Sequence, residues 1–353
     1  MDIRFYTDES ETSRFEAVSF PIRNFTSFIW EERYYGSGGI EIQLPPRYMG
    51  AVQAAQYIYN VDTDRMGIVT SVELSSDADG VMTLGVKGEQ LKSLLASRII
   101  EREAQYNGNV ETTIYDIVTQ YALTGARAIP LLELSPPRGY PQTITAGTIK
   151  AGTPLSEAIN TILKTLEMAY DIIYDWNGGK LKFSVYKGLD RTTEQTENNA
   201  AIFSTSFRNI KNLNYLKSTR DYKNTALVQC DNGIHTLDNS AGSPRREVYV
   251  TAPGETLINT PQAEQLAAET LEKWKTIENI SAETIPNESM RYGVNYNLGD
   301  LCEITANFKD YNAVWRQRIT AVTTSYEYGD VKIIPEFGEP PLDFRQYLTR
   351  EMN

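Results

Sequence analysis

Hydrophobic and polar positions alternate with period two through much of the first 87 residues, the spacing of strands with one buried face. Residues 25–35 are rich in aromatics and close on Gly36-Ser37-Gly38-Gly39. Ile40, Ile42 and Leu44 then alternate with Glu41 and Gln43 until Pro45-Pro46 ends the strand. Residues 67–74 and 81–87 predict two more strands joined across 75–80. Short strands with frequent turns are the signature of a barrel or sandwich.

The period then changes. Leu91, Leu94, Leu95 and Ile99 share one face of a helix predicted over 88–99, and Ile114, Ile117, Val118 and Tyr121 share a face of a second over 111–121. A third starts with Thr153 as N-cap and Pro154 at the first helical position, where a missing N–H costs nothing. Leu155, Ile159, Ile162, Leu163 and Leu166 form its inner face. A hairpin follows: Tyr170, Ile172, Tyr174 and Trp176 alternate with Asp171, Ile173 and Asp175, and Leu181, Phe183 and Val185 run back. Asn177-Gly178 between them offers the positive φ angles of a tight turn. Residues 188–200 and 238–246 are polar and predict loops. Strands resume at Ala201. Another helix is predicted from Thr260-Pro261, with Ala263, Leu266, Ala267, Leu271 and Trp274 inward. Residues 301–334 are β again, with 319–328 the longest strand candidate and a short helix predicted at 342–352.

Composition adds limits to this α+β pattern. The chain has 353 residues, 41% hydrophobic and 23% charged, which suits two or three folded domains. Forty-six acidic against 34 basic residues give a net charge of −12, the wrong sign for gripping nucleic acid phosphates. The N-terminus lacks a basic segment leading into an apolar one, so no signal peptide is expected. No apolar run reaches bilayer length, so no membrane anchor is expected.

The residues offer little chemistry. One histidine, His235, follows the Asn232-Gly233 turn, and any Ser-His-Asp or Cys-His arrangement would have to use it. Cys230 and Cys302 have no Cys or His at ligand spacing and are expected to be packing residues. Asp77-Ala78-Asp79-Gly80 does not keep the Gly and Glu positions of a calcium loop and predicts a hairpin turn, as does Asp62-Thr63-Asp64. Gly36-Ser37-Gly38-Gly39 lacks the lysine and helix of a phosphate loop. Paired carboxylates for glycoside hydrolysis are neither supported nor excluded by so many acidic residues. The 22 tyrosines suit interfaces and also sugar-binding clefts. No catalytic, cofactor-binding or metal-ligating residue is assigned, and no enzyme activity is expected.

Several segments, taken in order, resemble a known family. Val86-Lys87-Gly88-Glu89-Gln90-Leu91 through Leu94-Leu95 and Arg98 resembles the strand-to-helix junction of siphophage tail-hub proteins. Lys187-Gly188-Leu189-Asp190-Arg191-Thr192 resembles the turn after their central hairpin. Phe203-Ser204 with Asn209, then Tyr222-Lys223-Asn224, is similar to their next strand pair. Leu298-Gly299-Asp300, Arg318-Ile319-Thr320, Glu327 and Gly329 follow in the same order. Each motif is short, and their co-linearity over nearly the whole chain carries the resemblance.

The resemblance implies a baseplate-hub-like α+β fold with two small β-barrel domains and an intervening α+β domain. Residues 1–105 would hold the N-terminal barrel, 106–200 the middle domain, 201–340 the second barrel with one helix, and 341–353 a C-terminal tail. It implies a homotrimeric ring at the tip of a virion tail, assembled in the host cytoplasm. The ring would join distal tail and tail tube proteins to tip fibre or receptor-binding proteins. Phage DNA would pass through it without specific binding, past acidic walls. Two other readings stay open: a tail-associated cell-wall hydrolase and a carbohydrate-binding receptor module.

Overall fold

The computed structural model describes residues 2–9, 14–251, 257–285, 290–309, 311–327 and 329–338. The helix expected at 342–352 lies outside them. Period-two alternation yields strands where the sequence places them: β1 (Ile3–Glu9), β2 (Arg14–Ala17), β3 (Ser27–Arg33), β4 (Gly39–Leu44), β5 (Tyr57–Asn60), β6 (Arg65–Ser76) and β7 (Met82–Gln90), with a short helix α1 (Met49–Gln53) between β4 and β5. On β4 Ile40, Ile42 and Leu44 are buried and their neighbours exposed. Antiparallel pairing sets Phe28 against Ile42 and Ile42 against Val86, so one apolar face is continuous across three strands. Gly88 is required where β7 crosses it: a Cβ there would run into the Ile68 carbonyl and the Ile58 side chain.

The helix expected over 88–99 is shorter than its hydrophobic spacing suggests. Glu89 and Gln90 remain in the β6–β7 ladder opposite Ile68 and Gly67, and only Leu91–Ser97 turns, as a 3-10 helix burying Leu91 and Leu95. The middle block holds β8 (Ala104–Asn109), α2 (Val110–Val118), β9 (Leu132–Leu134), β10 (Thr143–Ile149), α3 (Leu155–Lys164), β11 (Ala169–Asp175) and β12 (Lys180–Tyr186). Asn109 caps α2 by accepting from the Glu111 and Thr112 N–H groups. At α3 the cap residue is Pro154 itself, one position later than expected, and no side chain caps the helix. Leu155, Ile159, Ile162 and Leu163 are buried as their spacing predicts. The β11–β12 hairpin has the expected strands, but its positive φ falls at Gly179 (63°) and not at Asn177-Gly178. The turn is therefore longer than a two-residue one, with the Asp175 carbonyl accepting from the Gly179 N–H.

Beyond the middle block come β13 (Ile202–Ser204), β14 (Ile210–Ser218), β15 (Thr225–Cys230), β16 (Gly233–Asp238), β17 (Glu247–Val250), α4 (Thr260–Lys273), β18 (Ile277–Thr284), β19 (Leu301–Phe308), β20 (Tyr311–Glu327) and β21 (Asp330–Gly338). The cap of α4 is Asn259, one residue before the expected position, in a capping box with Gln262.

The large sheet runs β2-β1-β5-β6-β7-β4-β3-β20 and continues through β21 and β18 to β14, with β19 and β13 branching from β20. Among the described residues no pairing closes it into a barrel. The reason is β20. At 17 residues it pairs with β19 over its first half and with β3 over its second, joining early and late strands in one ladder. What holds is a mixed, mostly β fold with few helices.

The chain divides into two compact units, Met1–Asn212 with Ala282–Glu336, and Leu213–Ser281 with the stretch from Phe337. The first contains most of the large sheet and the middle block. The second is built on the small sheet β16-β15-β17, and α4 buries Ala263, Ala267 and Leu271 against Ala226, Val228 and Cys230.

Candidate functional site

Three of the co-linear motifs meet in the first unit. Asp300, 2% exposed, stands just before β19. Its Oδ1 accepts from the Leu189 N–H at 2.8 Å, and its Oδ2 accepts from Arg191 Nε at 2.7 Å and the Asn297 N–H at 2.9 Å. Gly299 has φ +90° and lies flat against the Tyr34 ring, where any Cβ would collide. A Cβ at Gly188 would likewise collide with the Gly299 carbonyl. The Tyr34 hydroxyl accepts from the Gly188 N–H at 3.1 Å and donates to the Glu167 carbonyl at 3.0 Å. Arg318 donates to the Gly299 carbonyl and to Glu167 Oε2, with its guanidinium 5.7 Å from the Tyr34 ring centre. Burial pushes the Tyr34 hydroxyl up to about 12, so it stays protonated at any physiological pH.

A second polar cluster ties β3, β6 and β11 together. Arg65 binds Asp171 Oδ2 at 2.7 Å and Glu32 Oε1 at 3.1 Å, and the Tyr292 hydroxyl donates to Glu32 Oε2 at 2.6 Å. The Asp171 carboxylate raises the Arg65 pKa further above its ordinary value, and burial raises that of Tyr292. Beside them the amine of Lys92, 2% exposed, donates to the Arg33 and Tyr34 carbonyls at 2.9 and 3.1 Å. The Gln90 side chain accepts from the Gly38 and Arg33 N–H groups. The void among Trp30, Glu32, Arg65 and Asp171 holds about 10 Å³, room for one water and no substrate.

Chemically, both clusters hold segments together. Each carboxylate is taken up by a cation or by N–H or O–H donors. The remaining motif residues do similar work. Arg98 donates to the Arg127 and Ala128 carbonyls. Asn209 accepts from the Ser204 N–H and donates to the Ile202 carbonyl, closing a turn on itself. In the second unit Asn224 accepts from the Arg246 N–H and donates to the Pro244 carbonyl. Gly329, at φ +98°, makes the bend before β21.

The single residues weighed for chemistry lie apart. His235 is half-buried on β16, opposite Val228. Cys230 and Cys302 are free and buried, and burial raises the Cys302 thiol well above its ordinary value, away from the reactive thiolate. Asp77 closes a turn by accepting from the Asp79 and Val81 N–H groups. Among the described residues no group of three or more His, Cys, Asp or Glu is placed to hold a metal. The cluster of buried Glu32 and Lys92 with half-buried Arg65 and Asp171 was not legible from motif spacing. Its one signal is Glu32, which follows Phe28 and Trp30 on the inward face of β3.

Lys92 yields a pH prediction. Burial lowers its amine from 10.5 to about 8. Between those values the unfolded chain binds the proton that the folded chain gives up, so this residue's contribution to stability grows as pH rises from 8 to 10.5. Lys92→Met should remove up to about 3 kcal/mol of that rise. Urea unfolding of both proteins at pH 8 and pH 10 checks it, and parallel profiles would refute it.

Residues 17–339 match the model of a family described as Siphovirus ReqiPepy6 Gp37-like protein. The chain belongs to this family. Among solved structures it is similar to the tail protein from Neisseria meningitidis MC58, with a TM-score of 0.57 and 12% identity, covering 96% of this chain and 95% of that one. It is also similar to the 43 kDa tail protein of prophage MuSo2 from Shewanella oneidensis, with a TM-score of 0.55 and 12% identity, covering 96% and 98%. No curated protein matches the chain. At these identities the likeness is one of fold, shared with these two tail proteins. Among the described residues no helix is long and apolar enough to cross a membrane.

Proposed function

We infer that this chain is a structural tail protein, a hub at the tail tip that works by fitting against copies of itself and neighbouring tail parts. Membership of the Gp37-like family over residues 17–339 carries this reading. The use of the motif residues agrees with it: Gly188, Asp300 and Arg318, with Tyr34 as their partner, lock backbone segments together, as a load-transmitting ring subunit requires. The assembled form would be a homotrimeric ring, each copy supplying two β regions in a barrel-like arrangement toward a hexameric tube. Distal tail and tube proteins would sit on one side and tip fibre or receptor-binding proteins on the other. DNA would pass through without specific contacts, and a net charge of −12 favours a channel wall that does not hold phosphate. The site of action would be the virion tail, after assembly in the host cytoplasm.

Mass photometry of the purified chain with its neighbouring tail proteins, followed by electron microscopy of intact particles, tests this. The expected species has three times the 39.8 kDa chain mass and appears as a ring at the tail tip. A chain that stays monomeric and is missing from particles would refute the proposal.

A further inference from the structure

In the first unit an exposed indole stands at the edge of an aromatic group whose other rings serve the core: Tyr6 and Phe15 are buried in it, and Tyr57, Tyr59 and Tyr174 pack against it. Trp176 lies in the turn between β11 and β12 and keeps 41% of its surface exposed. Its ring centre is 4.7 Å from Tyr59, 4.7 Å from Tyr174 and 5.5 Å from Tyr6, all at steep angles. Phe15 and Tyr57, 4.3 Å apart, extend the ladder, with Phe15 4.6 Å from Tyr174. Register explains the gathering: Tyr6 of β1 is the direct partner of Tyr57 of β5, so Tyr6, Tyr57 and Tyr59 share one sheet face.

Asp64 sets the orientation of the exposed ring. It lies in the β5–β6 turn at φ 53°, in the left-handed region. Its Oδ1 accepts from both the Tyr59 hydroxyl at 2.7 Å and Trp176 Nε1 at 3.1 Å. The indole is therefore buttressed by three tyrosines and pinned through its only donor, while the exposed carboxylate keeps acceptor capacity on Oδ2. Two fifths of a large ring's surface is left in water, and pinning it removes rotamer freedom in advance of any ligand.

A ligand suited to this patch has a flat face of C–H groups for the rings and hydroxyls for the carboxylate. A pyranose has both. Asp62 shares the turn with Asp64, and Asp175 precedes Trp176, so phosphate-bearing or carboxylate-bearing polymers are disfavoured by like charge. The turn around Trp176 is Asn177-Gly178-Gly179, too polar and too small for the core of a protein interface. We propose that the exposed Trp176 ring, with Asp64 at its edge, binds a neutral hexopyranose unit of an oligosaccharide. This goes beyond the hub reading and does not depend on it.

The test uses the full chain, ¹⁵N-labelled at tryptophan, titrated with maltohexaose, a β-galacto-oligosaccharide and chitotetraose. The expected result is a shift of the Trp176 indole N–H signal by at least one probe, with Kd on the order of 1 mM. Trp176→Ala should weaken binding tenfold or more and Asp64→Asn severalfold, each with melting close to the parent. No shift with any of the three overturns the proposal, as does binding that survives Trp176→Ala or a response to polyphosphate alone. If Trp176→Ala does not fold, Asp64→Asn decides: unchanged affinity in that variant refutes the site. Ring assembly measured in the same samples separates a failure here from a failure of the hub reading.

Discussion

Asp300→Ala is expected to destabilise the folded chain by about 3–5 kcal/mol. The carboxylate is buried and takes three hydrogen bonds, from the Leu189 and Asn297 N–H groups and from Arg191. Its removal strands Arg191, whose side chain is itself 11% exposed, beside donors that no water reaches easily. Breaking one side of such a pair costs more than the pair contributes, because the partner charge stays desolvated. Urea unfolding followed by hydrogen exchange at the Leu189 amide is the check. The midpoint should fall and the Leu189 amide should lose protection ahead of the β3–β4 ladder. Asp300→Asn, which keeps an acceptor but no charge, should fall between the two. A variant with parental stability would show that the carboxylate is solvated and the joint loose.

Gly188→Ala should be at least as damaging, about 4 kcal/mol or more, for a different reason. The added carbon meets the Gly299 carbonyl and the Asp300 N–H, both backbone. A clash with a side chain relaxes by a rotamer change, whereas this one must separate two chain segments that are also joined through Tyr34 and Asp300. The expected outcome is loss of soluble protein, or a clear drop in melting temperature. Gly39→Ala, where a Cβ meets nothing, is the matched control. Equal melting of both variants would mean that the two segments have room to part.

These joints explain why much of the fold is legible in the chain and much of the buried polar structure is not. Ile40, Ile42 and Leu44 announce β4 because burial and period two are local properties. Leu155, Ile159, Ile162 and Leu163 announce α3 for the same reason. The end of β7 is misread because Leu91, Leu94 and Leu95 fit a helical face equally well, and the ladder opposite β6 that extends the strand through Gln90 is formed by residues more than 20 positions away. Asn177-Gly178 suggests a two-residue turn, yet the register from Asp175 to Lys180 leaves room for a longer one. Gly188, Gly299 and Asp300 stand out as motif residues, but only the tertiary structure shows that they touch. Glu32, Arg65 and Asp171 carry no motif at all. Their pairing depends on three strands meeting, which no spacing along the chain encodes.

The shared strand β20 also governs how the molecule is made. Arg33 of β3 pairs with Ala321 of β20, nearly the whole chain apart. At ribosomal rates of about 5–20 residues per second, one side of β3 waits roughly 15–60 s for its partner. During that interval a strand edge bearing Phe28 and Trp30 is open to other nascent copies. Fast shielding by cellular holdases, or rapid translation downstream of β4, would protect the yield, and large non-local ladders of this kind close slowly once complete.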